Sequence, residues 1–135
     1  MLELRIDGTP IPQGSKIAGV RKDGKPFMRE ANHRLKDWRE KIRLIAWHES
    51  HFHHFDGPIE LAVWYYLPRP KTVTREHHTV KPDGSKLQRA IEDGLVEGGL
   101  LADDALIVAW SGRKLYEDEI QHPGVVIQIR KAGQE

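Results

Sequence analysis

Lys81-Pro82-Asp83-Gly84-Ser85-Lys86-Leu87-Gln88-Arg89-Ala90-Ile91-Glu92-Asp93-Gly94-Leu95-Val96-Glu97-Gly98-Gly99 is the stretch on which the fold turns. From Ser85 to Glu97 its apolar residues Leu87, Ala90, Ile91 and Leu95 recur at three- and four-residue steps, the period of an amphipathic helix. Ser85 with Gln88 three positions on matches a capping box at the start. Gly98-Gly99 is a stop signal. The reading predicts a helix over 85–97, with strands on either side of it in the chain.

Working outward, Ile59, Leu61, Val63 and Tyr65 alternate with other residues and predict a strand. Pro68-Arg69-Pro70 closes it, and the polar run to Pro82 reads as a loop. Beyond the helix, Leu106 to Trp110 and Val125 to Ile129 read as two further strands. Upstream, residues 32–51 take a helical period through Leu35, Trp38, Ile42 and Ile45, with Asn32 as a candidate N-cap. Asp23-Gly24 inside Lys16 to Met28 signals a hairpin, and Leu2, Leu4 and Ile6 predict an N-terminal strand. The order is strands, helix, strand, helix, strands. It predicts one α+β domain spanning residues 1–135, with two helices packed on one face of a mixed β-sheet.

With 135 residues, 39% apolar and 30% charged, the chain suits one domain with a modest core, which a dimer would supplement. It has no cysteine, which removes disulfides, thiolate chemistry and Cys-type zinc sites. The N-terminus interleaves charges with apolar residues, unlike a signal peptide. No run approaches the roughly 18 apolar residues of a membrane span. These features predict a soluble, cytoplasmic protein with no membrane association. Net charge is only +1, yet basic residues crowd residues 21–43 and 69–89 while acids gather from Glu92 to Glu119. A basic surface around an acidic focus suits phosphate-backbone binding, and an ordinary solvated surface has the same appearance.

Asp83 enters the predicted helix, and Asp103-Asp104 follows it. A helix of about 13 residues is roughly 20 Å long, so these carboxylates meet only if the Gly98-Gly99 turn sends residues 100–104 back along it. Leu100 and Leu101 are suited to pack on that return. Carboxylates brought together repel, and a shared proton or a cation relieves them. Oxygen-only ligands favour Mg²⁺ or Mn²⁺, and such an ion can drive phosphodiester hydrolysis. Lys86, Arg89 and Asp93 share a helix face, so the two cations are candidates for holding a phosphate. The same residues equally describe a capped surface helix with Arg89 paired to Asp93 and two exposed acids in a turn.

The stretch Lys81 to Val108 resembles the signature of RusA-type Holliday-junction resolvases and related phage endonucleases. In that signature Asp-x-Asp-x-Leu-x-Lys/Arg is followed by an Asp four residues on, and then by Asp-Asp near a strand. Here it reads Asp83-Gly84-Ser85-Lys86-Leu87-Gln88-Arg89, Asp93 and Asp103-Asp104. Gly8-Thr9-Pro10-Ile11-Pro12-Gln13-Gly14-Ser15-Lys16 is similar to the N-terminal segment of phage members. The resemblance implies a homodimer that cuts four-way DNA junctions with Mg²⁺ or Mn²⁺. It implies Asp83 and Asp104 as metal-binding acids, Asp103 beside them, and Arg89 as the catalytic basic residue. The departure is Ser85, where the family usually has its second acid. Either Ser85 is simply the helix cap of an active enzyme, or the protein binds branched DNA without cutting it.

Other signals are weaker. His48, His51, His53 and His54 cluster at a helix end and suggest zinc, but no cysteine or well-placed acid completes a set. A soluble domain binding metal through these histidines is the third reading. Trp38, Trp47, Trp64 and Trp110 read as core or dimer-interface residues, and Tyr65 or Tyr66 as candidates for stacking on bases. Lys16, Arg21, Lys22, Lys25 and Lys81 are candidates for phosphate contacts, which position a protein on DNA without specifying sequence.

Overall fold

A computed structural model of the chain describes residues 1–14, 16–30 and 33–133, with side chains at 16–19 and 27–30 set aside. Its elements are β1 (Leu2–Asp7), β2 (Lys16–Val20), β3 (Pro26–Glu30), α1 (His33–Glu49), β4 (Ile59–Leu67), α2 (Gly84–Glu97), β5 (Ile107–Tyr116) and β6 (Gly124–Lys131). A single 3₁₀ turn at Asp104–Leu106 precedes β5. The expected α+β architecture is present, with β2 and β3 forming a separate two-stranded sheet. Asn32, the candidate cap of α1, lies outside the described residues.

The main sheet runs β1-β6-β4-β5. β6 is antiparallel to both β1 and β4, whereas β4 and β5 are parallel. Parallel neighbours need a crossover, and here α2 lies in it. The period-2 alternation read in the sequence fixes which face is buried. Leu4 and Ile6 of β1, Ile59, Leu61, Val63, Tyr65 and Leu67 of β4, and Val125, Ile127 and Ile129 of β6 share one core. Leu35, Trp38, Ile42 and Ala46 of α1, and Leu87, Ala90, Ile91 and Leu95 of α2, join the same cluster. Each fully buried Leu or Ile side chain contributes about 1.5–3 kcal/mol.

α1 and α2 cross at glycines. A Cβ on Gly94 would lie 2.5 Å from Ile42 Cγ2, and one on Gly98 would lie 2.5 Å from Ala46 Cβ and 2.6 Å from the Arg43 carbonyl oxygen. The second contact is with backbone and cannot yield by a rotamer change. An Arg39–Glu97 ion pair closes the same crossing.

The start of α2 differs from expectation. α2 starts one residue early, with Asp83 as N-cap and no side-chain cap bond, so Ser85 is helical rather than capping. Gln88 does not reach back. It accepts a 2.9 Å hydrogen bond from the Tyr65 hydroxyl, because its side chain points toward the sheet. The tryptophans divide as well. Trp38 is buried, while Trp47 and Trp110 are 54% and 67% exposed.

The crossing generates a stability prediction. Alanine is favoured over glycine in helices by up to about 1 kcal/mol, but overpacking costs about 1–3 kcal/mol. Gly98→Ala is expected to destabilise on balance, seen as a lower midpoint in urea unfolding. An unchanged or higher midpoint would mean the helices can separate freely.

Candidate active site

α2 ends as its glycines dictate. Gly98 closes the helix, and Gly99 takes φ +81°, a backbone conformation that side chains disfavour. The chain then reverses. The Leu100 and Leu101 amides both donate to the Leu95 carbonyl, and both side chains are fully buried. Phe55 N–H donates to Leu100 O at 2.9 Å, and Ala102 N–H to Phe55 O at 2.9 Å, so the returning segment is pinned to the residues ahead of β4. The expected return along the helix is therefore present.

It delivers Asp104 to a cavity of about 610 Å³ whose lining includes Ser85, Gln88 and Glu92 from α2, and Tyr65, Trp110 and Lys114 from the sheet. The register explains the opening. Trp110, Gly112 and Lys114 pair with Leu61, Val63 and Tyr65, so they share the helix-facing side of the sheet, where Gln88 of α2 reaches Gly112 but Trp110 stays exposed. Gly112 leaves room for the Tyr65–Gln88 pair: a Cβ there would lie 3.4 Å from Tyr65 Cε2. Gln88 Nε2 is buried in this wall without a hydrogen-bond partner.

The acids behave as a crowded group. Asp103 Oδ1 accepts from Ala105 N–H at 2.8 Å, which caps the 3₁₀ turn and holds the Asp103 carboxyl below the usual range. Its hydrogen bond with Asp104 is the second cause. Asp104 shifts the other way: its bond with Asp103, then burial, then the charges of Asp103 and Asp93 hold its carboxyl above the usual range. Glu92 is also raised, first by burial and then by Asp104 and Asp93, with Arg89 opposing. The Tyr65 hydroxyl is held well above the ordinary phenol range, mainly by burial and secondarily by Glu92.

Asp83 is not in this group. It lines a neighbouring cavity of about 570 Å³ together with Arg34, Arg75, His78, Lys81 and Lys86. Lys86 Nζ lies 4.0 Å from Asp83 Oδ2. Gln13 N–H donates to Lys86 O at 2.9 Å, so the Gly8–Gly14 segment docks on the first turn of α2 and walls this cavity. The first turn of α2 thus divides two cavities, one where Glu92 and Asp104 are joined by Arg113 and Lys114, and one predominantly basic. Arg89 is exposed beside them. Arg21 and Lys22 are exposed at the β2–β3 turn, where Arg21 pairs with Asp23 at 3.4 Å; Lys16 is described by its backbone alone.

Among the described residues, no group of three or more His, Cys, Asp or Glu side chains converges to hold a metal. The histidine cluster is tied to backbone instead: His54 Nδ1 lies 2.8 Å from Gly99 O and His51 Nδ1 2.9 Å from Trp47 O. The acids still suit a hard cation. Mg²⁺ needs only one or two carboxylates, keeping waters and substrate phosphates as its other ligands, and the repulsion between Asp103 and Asp104 is what a cation would relieve.

Sequence reading missed Glu92, Gln88, Arg113 and Lys114 as cavity residues. For Glu92 a signal existed: it lies seven residues after Ser85, on the same side of α2. For Arg113 and Lys114 none did, because their placement depends on the parallel pairing of β4 with β5.

A family model described as endodeoxyribonuclease RusA matches residues 7–130. An uncharacterised protein of Bacillus subtilis (strain 168), YqaN, is 25% identical over 142 aligned positions, covering 96% of both chains. Among the described residues, no helix is long and apolar enough to cross a membrane.

The loop before Asp83 generates a pH prediction. His78 lies 4.9 Å from the Tyr116 ring, and burial, then Lys114 and Arg75, hold its pKa below the usual value. The folded ring resists a proton that the unfolded chain accepts near pH 6.5. Stability is therefore fully present above that pH and is lost as pH falls toward the folded value. His78→Phe is expected to flatten this part of the stability profile in urea titrations from pH 7.5 to 5; an unchanged slope would place its origin elsewhere.

Proposed function

The chain belongs to the RusA endodeoxyribonuclease family, and from that premise we propose that it is a structure-selective endonuclease that resolves four-way DNA junctions by metal-dependent phosphodiester hydrolysis. The observation that carries this reading is the arrival of Asp104 opposite Ser85, Gln88 and Glu92, in a cavity beside a predominantly basic one.

Asp104 and Asp103 would hold Mg²⁺ or Mn²⁺, with Asp83 contributing from the far side of the first turn of α2. The bound ion would supply positive charge to the phosphoryl oxygens and lower the pKa of attacking water. The remaining work falls to the chain itself. Lys86 and Lys81 hold the DNA backbone in the basic cavity, and the uncapped N-terminus of α2 favours phosphate there. Arg89 compensates charge that develops on the scissile phosphate. Lys16, Arg21 and Lys22 on the hairpin extend the phosphate contacts. In the hydrolysis, water oxygen bonds to phosphorus, one P–O ester bond breaks, and the departing oxygen takes up a proton. Two cuts on opposing strands need two such sites, which a two-fold homodimer provides.

A second reading has its own observation. Ser85 replaces an acid of the family signature, and Asp83 faces Lys86 rather than Asp104. On that reading the protein binds branched DNA and does not cut it.

A labelled four-way junction and a linear duplex, each with Mg²⁺ or Mn²⁺, separate the two. The endonuclease reading expects paired, symmetric nicks in the junction alone. Asp104→Asn is expected to lose more than the roughly 10- to 100-fold that removing an outer-shell partner costs. Junction binding without cleavage under either metal would favour the second reading, and absence of both would sink the two together.

A further inference from the structure

Ser85 stands where the family signature has a carboxylate, yet the cavity it lines does not lack one. Glu92 is seven residues on. At 100° per residue this is about 20° short of two full turns, so both side chains project from nearly the same side of α2. Both line the cavity that receives Asp104, with Gln88 between them. The sheet side is closed by Tyr65, whose hydroxyl fixes Gln88 at 2.9 Å.

Glu92 is poorly explained as a structural residue. It is half-buried, and no ion pair or hydrogen bond holds it among the described contacts. Asp104 shares the cavity with it, and although Arg113 and Lys114 line the same cavity, neither forms an ion pair with Glu92 among the described contacts. A partly desolvated carboxylate facing like charges is costly unless a cation joins it.

We propose that Glu92 supplies, from two turns further along α2, the carboxylate that Ser85 does not, and that Glu92 and Asp104 together hold the divalent cation. This rests on the endonuclease reading. It moves the metal centre along the helix, away from Asp83, and leaves Asp83 beside Lys86 in the basic cavity. Mg²⁺ or Mn²⁺ held by two carboxylates keeps positions for water and for a phosphate oxygen.

The test is Mn²⁺ binding to the full chain, followed by the loss of the free-ion electron paramagnetic resonance signal with and without a four-way junction, alongside thermal melting. Wild type, Asp104→Asn, Glu92→Gln and the double variant Ser85→Asp/Glu92→Gln are compared. Glu92→Gln is expected to weaken Mn²⁺ binding by about tenfold or more, and Ser85→Asp to restore it in the double variant. Without metal, Glu92→Gln is expected to melt at or above the wild-type temperature, because a repelling charge has gone; with Mn²⁺ it loses the upward shift that wild type shows. A Glu92→Gln chain that melts lower without metal would mark a structural role and overturn the proposal. Wild-type affinity in Glu92→Gln, with loss in Asp104→Asn, would overturn it while leaving the endonuclease reading intact. A wild type that binds no Mn²⁺ in either condition would overturn both.

Discussion

Two glycines set the distance between the helices, and much else depends on that distance. At Gly94 and Gly98, α2 comes so close to Ile42, Ala46 and the Arg43 carbonyl that no Cβ fits. The close crossing lets both helices share one face of a four-stranded sheet and bury Leu87, Ile91 and Leu95 beside Leu35 and Ile42. With α2 drawn toward α1, the outer half of the edge strand β5 stays uncovered. That uncovered strip is the floor of the Asp104 cavity. The same tight end of α2 lets Leu100 and Leu101 bury immediately after the turn, which directs Asp103 and Asp104 back toward the helix.

Charge is organised on the scale of one helical turn. The net charge of +1 averages away a sharp local contrast, because Lys86 and Asp83 face one cavity while Ser85 faces the other. Glu92 and Asp104 on one side of the turn, and Arg34, Arg75, Lys81 and Lys86 on the other, are thereby kept apart but adjacent. Asp103 and Asp104 show the effect of crowding. The Ala105 amide favours the charged form of Asp103, while its neighbour and burial disfavour the charged form of Asp104.

Much of the fold was legible because burial imposes a period on the sequence. The alternation in β1, β4 and β6 and the helical stripes of α1 and α2 all follow from facing one core. β5 was read at its start only, because a register shift between Ile59 and Glu60 disturbs its alternation and its helix-facing side is exposed. The start of α2 was misread for a local reason. Ser85 and Gln88 satisfy the capping-box pattern, but the Tyr65 hydroxyl competes for Gln88, and that partner is 23 positions away in the chain. At the site, the return of Asp103-Asp104 followed from Gly98-Gly99 and the two leucines. The separation of Asp83 from Asp104 did not, since it depends on which side of one helical turn each carboxylate leaves.

The two cavities are also joined mechanically. Lys114 lines the Asp104 cavity, and its Nζ donates to the Val80 and Pro82 carbonyls at 2.7 and 2.8 Å, immediately before Asp83. Tyr116, two residues along the same face of β5, accepts from Arg75 Nε at 2.8 Å and packs against His78 and Arg69. The loop carrying Asp83 into the helix is therefore moored to the strand that floors the cavity of Asp104. A neutral side chain at 114 could pack on the loop but could not also place a positive charge beside the acids. Lys114 thus ties the loop ahead of Asp83 to the cavity that receives Asp104.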